Sequence, residues 1–281
     1  MDTRREFLTT VGVGLLGTGF AGAQTRTPAP QGQGSTFLGE TARNAPPPIP
    51  NRKVKTTAVF KSPEGYPNGI AATTEGLWIG EQKSDNAVLQ SWEGKALKTV
   101  KTPSKNTSGI AFGGGYIWMA ANAAPEGIFQ VDVNGKVVNH RQIPLGPADN
   151  GGGCHGCEYV DGKLWIAALR LRGILRVDAK TWAPEFLIPY AVPRAHGMAY
   201  NKADNSIWMV TGSQDGVAGL IQYDAATGRT ISTATFAKGD ADPHGLAWYN
   251  GQLYSCDAGI HPGWVDDISP THGYIFKIDL V

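Results

Sequence analysis

From about residue 65 to the C-terminus, short apolar runs of four to six residues alternate with polar turns, with no helical period in between. The clearest unit is Pro243-His244-Gly245-Leu246-Ala247-Trp248-Tyr249-Asn250-Gly251-Gln252-Leu253-Tyr254. Asn-Gly between two apolar runs predicts a tight hairpin. The same unit occurs four more times: Pro67–Ala71 leading to Leu77-Trp78-Ile79, Ser108–Phe112 to Ile117-Trp118-Met119, His155–Tyr159 to Leu164-Trp165-Ile166, and His196–Tyr200 to Ile207-Trp208-Met209. The key glycines are 69, 109, 156, 197 and 245, a period of roughly 40 to 48 residues, which is the size of one propeller blade.

Each repeat divides into four strand-like pieces, apart from the last, which has three and ends with the chain. Val54–Phe60, ahead of the first repeat, has strand character and can supply the missing outer strand, removing free sheet edges. The predicted fold is therefore an all-β β-propeller of five four-stranded blades, with six as the alternative count, closed by an N-terminal strand. The aromatic recurring on each second strand (Trp78, Trp118, Trp165, Trp208, Tyr254) reads as packing between blades. The aspartates ending the third strands (Asp132, Asp178, Asp224, Asp279) read as turn initiators rather than catalysts.

Composition narrows the function classes. A formal net charge of +1 over 281 residues argues against nucleic-acid binding. Arg4-Arg5 precedes a short apolar run and Ala21-Gly22-Ala23, so residues 1–23 read as a twin-arginine signal handed to the Tat translocation machinery. That run is too short and glycine-rich for a stable membrane anchor. Residues 24–52 form a Pro/Gly-rich lead-in and 53–281 a single propeller domain, expected as a periplasmic or secreted monomer. Of three cysteines, Cys154 and Cys157 have a C-x-x-C spacing. Glu158 follows where haem attachment needs His, leaving a local disulfide or two inert thiols ahead of metal ligation.

The residues before the repeat glycines are Asn68, Ser108, His155, His196 and His244. First strands line a propeller's channel, and the pseudo-rotation of about 72° brings these five residues to one mouth. Three imidazoles on one axis suit a divalent metal cation such as Zn, Fe or Cu, or serve as acid–base groups. The second strands end near the same mouth, which adds Glu81 as a carboxylate ligand or base, and Asn122, Arg170 and Asp257 as substrate-binding candidates. The insertion from Ala258 to Thr271 offers His261 and Trp264 for a substrate wall.

Over residues 65–281 the repeats, typified by Pro243-His244-Gly245-Leu246-Ala247 and Leu77-Trp78-Ile79-Gly80-Glu81, resemble the virginiamycin B lyase-like (streptogramin lyase) and broader NHL-type propellers. The resemblance implies a Mg-assisted elimination in which histidines at the Pro-His-Gly position act as base and acid. His244 is the best match, then His196 and His155. The leading expectation is a metal-dependent lyase cleaving a C–O bond of a small molecule. The alternatives are a lactonase- or esterase-type hydrolase using metal-bound water, and a non-catalytic binding propeller.

Overall fold

The computed structural model describes residues 48–146, 152–192, 194–212, 217–259 and 269–281. The signal segment, most of the lead-in, and His261 and Trp264 lie outside the described residues. Residues 48–281 form one compact unit. Among the described residues the structure is all-β, with twenty strands and no helix.

Three sheets have four strands in simple chain order: β2 (Pro67–Ala72) to β5 (Ala96–Lys101), β6 (Thr107–Gly113) to β9 (Val137–Arg141), and β10 (Cys154–Val160) to β13 (Pro184–Pro189). A further four, β14 (Arg194–Asn201) to β17 (Thr230–Thr235), continue through β1 (Asn51–Lys61) into β20 (Tyr274–Leu280), β19 (Gln252–Cys256) and β18 (Leu246–Tyr249). These four-stranded units are the arrangement of a β-propeller. The N-terminal strand pairs antiparallel with β20 from Val54↔Leu280 to Lys61↔Tyr274. It starts three residues before the expected Val54, because Asn51–Lys53 also pair in parallel with Thr233–Thr235 of β17.

The hairpin unit folds as its sequence demands. Asn250 and Gly251 adopt φ of 48° and 78°, the two positive angles of a type I′ turn. Asp132 accepts backbone N–H bonds from Asn134 (2.8 Å) and Lys136 (2.9 Å), and Asp224 from Ala226 (2.9 Å) and Thr227 (2.8 Å), so these aspartates do hold turns. The second-strand tryptophans are buried, and three of them stack on an aromatic of the next repeat: Trp78 on Phe112, Trp118 on Tyr159 and Trp208 on Trp248, with ring centroids 6.0–6.4 Å apart.

The repeat glycines show why the first strands converge. A Cβ on Gly69 would lie 2.8 Å from Gly109 Cα, and one on Gly109 2.8 Å from Gly156 Cα. The series goes on from Gly156 to Gly197 (2.9 Å), from Gly197 to Gly245 (2.5 Å) and from Gly245 back to Gly69 (2.8 Å). Real Cβ atoms do not come this close to backbone, so only glycine permits these approaches.

Candidate functional site

The five residues preceding the collar lie together at one end of it. Asn68, Ser108, His196 and His244 are buried and His155 is half-buried. Neighbouring strands interlock here: Asn68 Nδ2 donates to Thr107 O (3.0 Å) and Ser108 Oγ to Cys154 O (2.8 Å). The His155 and His196 rings are 4.3 Å apart between centroids, and those of His196 and His244 4.7 Å.

Their hydrogen bonds fix the tautomers. Nδ1 faces a backbone carbonyl in all three: Ala195 O for His155 (2.8 Å), His244 O for His196 (3.2 Å) and Asp242 O for His244 (3.0 Å). A carbonyl only accepts, so each Nδ1 carries the proton and each Nε2 presents a lone pair in the neutral ring. Burial, with the Arg194 charge adding to it, lowers the pKa of His155 to about 4 and of His244 to about 3, and holds His196 well below the usual histidine range. All three are neutral at pH 7. Asn122 Nδ2 bonds His155 Nε2 (2.9 Å), and Arg194 Nη2 lies 3.2 Å from His244 Nε2. Among the described residues, His196 Nε2 has no hydrogen-bond partner.

The other expected residues take distinct places. Glu81 is fully buried at the end of β3 (Gly76–Glu81), and its carboxylate accepts backbone N–H bonds from Tyr66 (2.9 Å) and Glu64 (3.3 Å). Burial raises its pKa. Arg170 is exposed and lies across Gly152, where a Cβ would come within 2.2 Å of its Cγ. Asp257 is fully buried; its Oδ2 accepts from Thr271 Oγ1 (2.7 Å), Ser269 Oγ and Asp242 N (3.0 Å), and its Oδ1 from Gly259 N (2.7 Å). Cys154 and Cys157 are free, buried thiols. Their sulfurs face different carbonyls, Gly127 O (3.3 Å) and Trp118 O (3.6 Å), so the inert-thiol alternative holds and the disulfide does not.

Sequence reading missed Arg194 and Asp242. Both stand two residues before a ring histidine. That register was the available signal. Arg194 Nη1 donates to Asp242 Oδ1 at 2.6 Å, with both side chains largely buried. Asp242, His244 and Asp257 have ligand atoms all within 4.8 Å of one another and could hold a metal ion. This group shares only His244 with the expected trio. Two carboxylates and an imidazole suit a hard divalent cation, and Asp242 Oδ2 is buried with no hydrogen-bond partner, so it offers an open ligand position. Arg194 neutralises the other Asp242 oxygen and has to leave His244 Nε2 if that atom is to bind an ion.

No protein-family model matches the chain, and no curated protein does. Solved structures do. Glutaminyl cyclase of Myxococcus xanthus matches at TM-score 0.61 with 11% identity, over 83% of this chain and 98% of that one. A gluconolactonase from Xanthomonas campestris matches at 0.53 with 12% identity, over 81% and 90%. A streptogramin B lyase matches at 0.46 with 13% identity, over 81% and 98%. At these identities the likeness to the cyclase and the gluconolactonase is one of fold alone.

Proposed function

We propose that the chain is a closed five-bladed β-propeller enzyme acting on a small organic substrate at the mouth formed by His155, His196 and His244. The glycine collar that runs from Gly69 through Gly245 and back supports the blade count and closure. The observation carrying the enzymatic reading is the trio of buried, neutral imidazoles, each pinned as Nδ1–H by a backbone carbonyl.

That state favours lone-pair donation over proton carriage. A base with a pKa near 4 is far from the optimum at pH 7, whereas a metal ligand has to be deprotonated. A divalent cation would be held by Asp242, His244 and Asp257. Once bound, it would polarise a substrate oxygen. Arg194, when it leaves His244, is free to meet an anionic substrate group. The reaction we favour is elimination with C–O cleavage, in line with the resemblance in the repeats. The C–H proton would pass to the Glu81 carboxylate, whose raised pKa suits a base better than the lowered ones of the imidazoles, and the oxygen would leave with the electron pair of the broken C–O bond. The two buried carboxylates, Asp242 and Asp257, favour a hydrolase of lactonase type as the second reading. Twin-arginine export to the periplasm or beyond, as a monomer, completes the proposal.

Elemental analysis of the exported protein tests it, beside His244→Ala and Asp242→Ala variants. About one divalent metal per chain, lost in both variants, is expected. A metal-free protein with unchanged variants removes the metalloenzyme reading and leaves a binding propeller. Turnover in heavy-oxygen water then separates the two reactions, since hydrolysis incorporates solvent oxygen and elimination does not.

A further inference from the structure

A run of side-chain amides crosses the mouth toward His155. Gln82 Nε2 bonds Asn106 Oδ1 (2.6 Å), Asn106 Nδ2 bonds Asn122 Oδ1 (2.8 Å), and Asn122 Nδ2 bonds His155 Nε2 (2.9 Å). At the far end His155 Nδ1 meets Ala195 O (2.8 Å). The direction of every bond follows from that last carbonyl. It only accepts, so His155 Nδ1 donates and Nε2 accepts. Asn122 therefore turns its NH₂ to the ring and its oxygen to Asn106. Asn106 in turn offers its own NH₂ and receives Gln82. Asn106 is held in place by its backbone N–H on Asp85 Oδ1 (2.8 Å), at a φ of 51° that asparagine tolerates. Gln82 Oε1 is left as the free end of the chain.

That end is buried and has no partner among the described residues. A second amide oxygen in the same sheet is in the same state. Asn68 is 1% exposed; its Nδ2 is committed to Thr107 O, so its orientation is also fixed, and Oδ1 is unpartnered. Both residues flank the Pro67↔Glu81 strand pair at the mouth end of β2 and β3. A buried acceptor without a donor loses its hydration and gains nothing in return, so these two mark a place where a donor belongs.

We propose that Gln82 Oε1 and Asn68 Oδ1 form an acceptor subsite for an N–H donor of the substrate, an ammonium or amide group. The subsite rests on reading this mouth as a substrate site. It holds one end of the substrate over the β2–β5 sheet while the imidazoles address the other. Filling it polarises the amide chain toward His155, because each bond in a one-directional series strengthens the next.

The test uses the full processed protein, ¹⁵N-labelled, titrated with methylammonium chloride and, in parallel, with tetramethylammonium, which has the charge but no donor. Methylammonium should shift the Gln82 side-chain amide saturably, and the shift should propagate through Asn106 and Asn122 to the His155 ring nitrogens. Tetramethylammonium should leave all four unmoved. Gln82→Met, of similar volume without the acceptor, should weaken the response at His155 at least tenfold while melting like the parent. Equal shifts with both salts, or a His155 response that survives in Gln82→Met, overturn the proposal. No shift with methylammonium also overturns it and assigns both oxygens to water. The readout needs neither metal nor turnover, so a metal-free or inactive protein still answers it.

Discussion

Glu158 is the residue whose replacement says most about the inner strands. It stands two positions after its repeat glycine, where the other four repeats have Ala71, Ala111, Ala199 and Ala247, all buried. Its side chain is half-buried, and burial alone raises its pKa from 4.5 to about 8. The folded protein therefore holds a proton at neutral pH that the unfolded chain has lost. The native state pays nothing for this below pH 4.5, and an increasing amount as pH rises toward 8. Between pH 5.5 and 7.5 the shift corresponds to about 2 kcal/mol, allowing for the part of the side chain that solvent reaches. Glu158→Gln keeps the shape and removes the titration. Urea unfolding of both proteins at several pH values measures the difference. The variant's stability relative to the parent should grow by about 2 kcal/mol over that interval. A difference that stays constant with pH would mean that Glu158 ionises in the fold as it does in water, and the reasoning would fail.

The ring histidines should give a slope of the opposite sign. Their folded pKa values lie below 6.5, so stability is complete above that pH and is lost as pH falls from 6.5 toward 4; His155→Gln should flatten this limb in the same unfolding series. Gly197→Ala places a Cβ 2.2 Å from His244 O and 2.5 Å from Gly245 Cα, both backbone, and should cost about 3 kcal/mol or prevent folding, read as a fall in melting temperature or loss of soluble protein. Burial pushes the Cys154 thiol pKa up to about 12 and raises those of Cys157 and Cys256, so maleimide should label none of them until denaturant opens the fold; rapid native labelling would contradict the packing.

Asn122 and Asp257 show how far spacing alone reaches. Both were placed at the mouth because they follow second strands; spacing did not say that Asn122 would find its partner in the next repeat and Asp257 within its own. Asn122 touches His155, 33 residues on, and Asp257 touches Thr271 across the insertion. Arg194 and Asp242 are 48 residues apart in the chain and 2.6 Å apart in the fold.

Local chemistry was enough for the rest. Short apolar runs between polar turns, the Asn250-Gly251 turn and the recurring His-Gly and aromatic positions pointed to strand, hairpin, repeat and the candidate ring, because each depends on a few neighbouring residues and on backbone sterics. Tertiary structure decided which charges meet, which imidazole nitrogen carries the proton, that Cys154 and Cys157 stay unpaired, and that β1 joins β17 as well as β20. Those outcomes depend on distances between residues far apart in sequence and on the loss of water around them. Repetition could announce that the first strands share one pattern; only the packed collar could set what each side chain finds when it arrives.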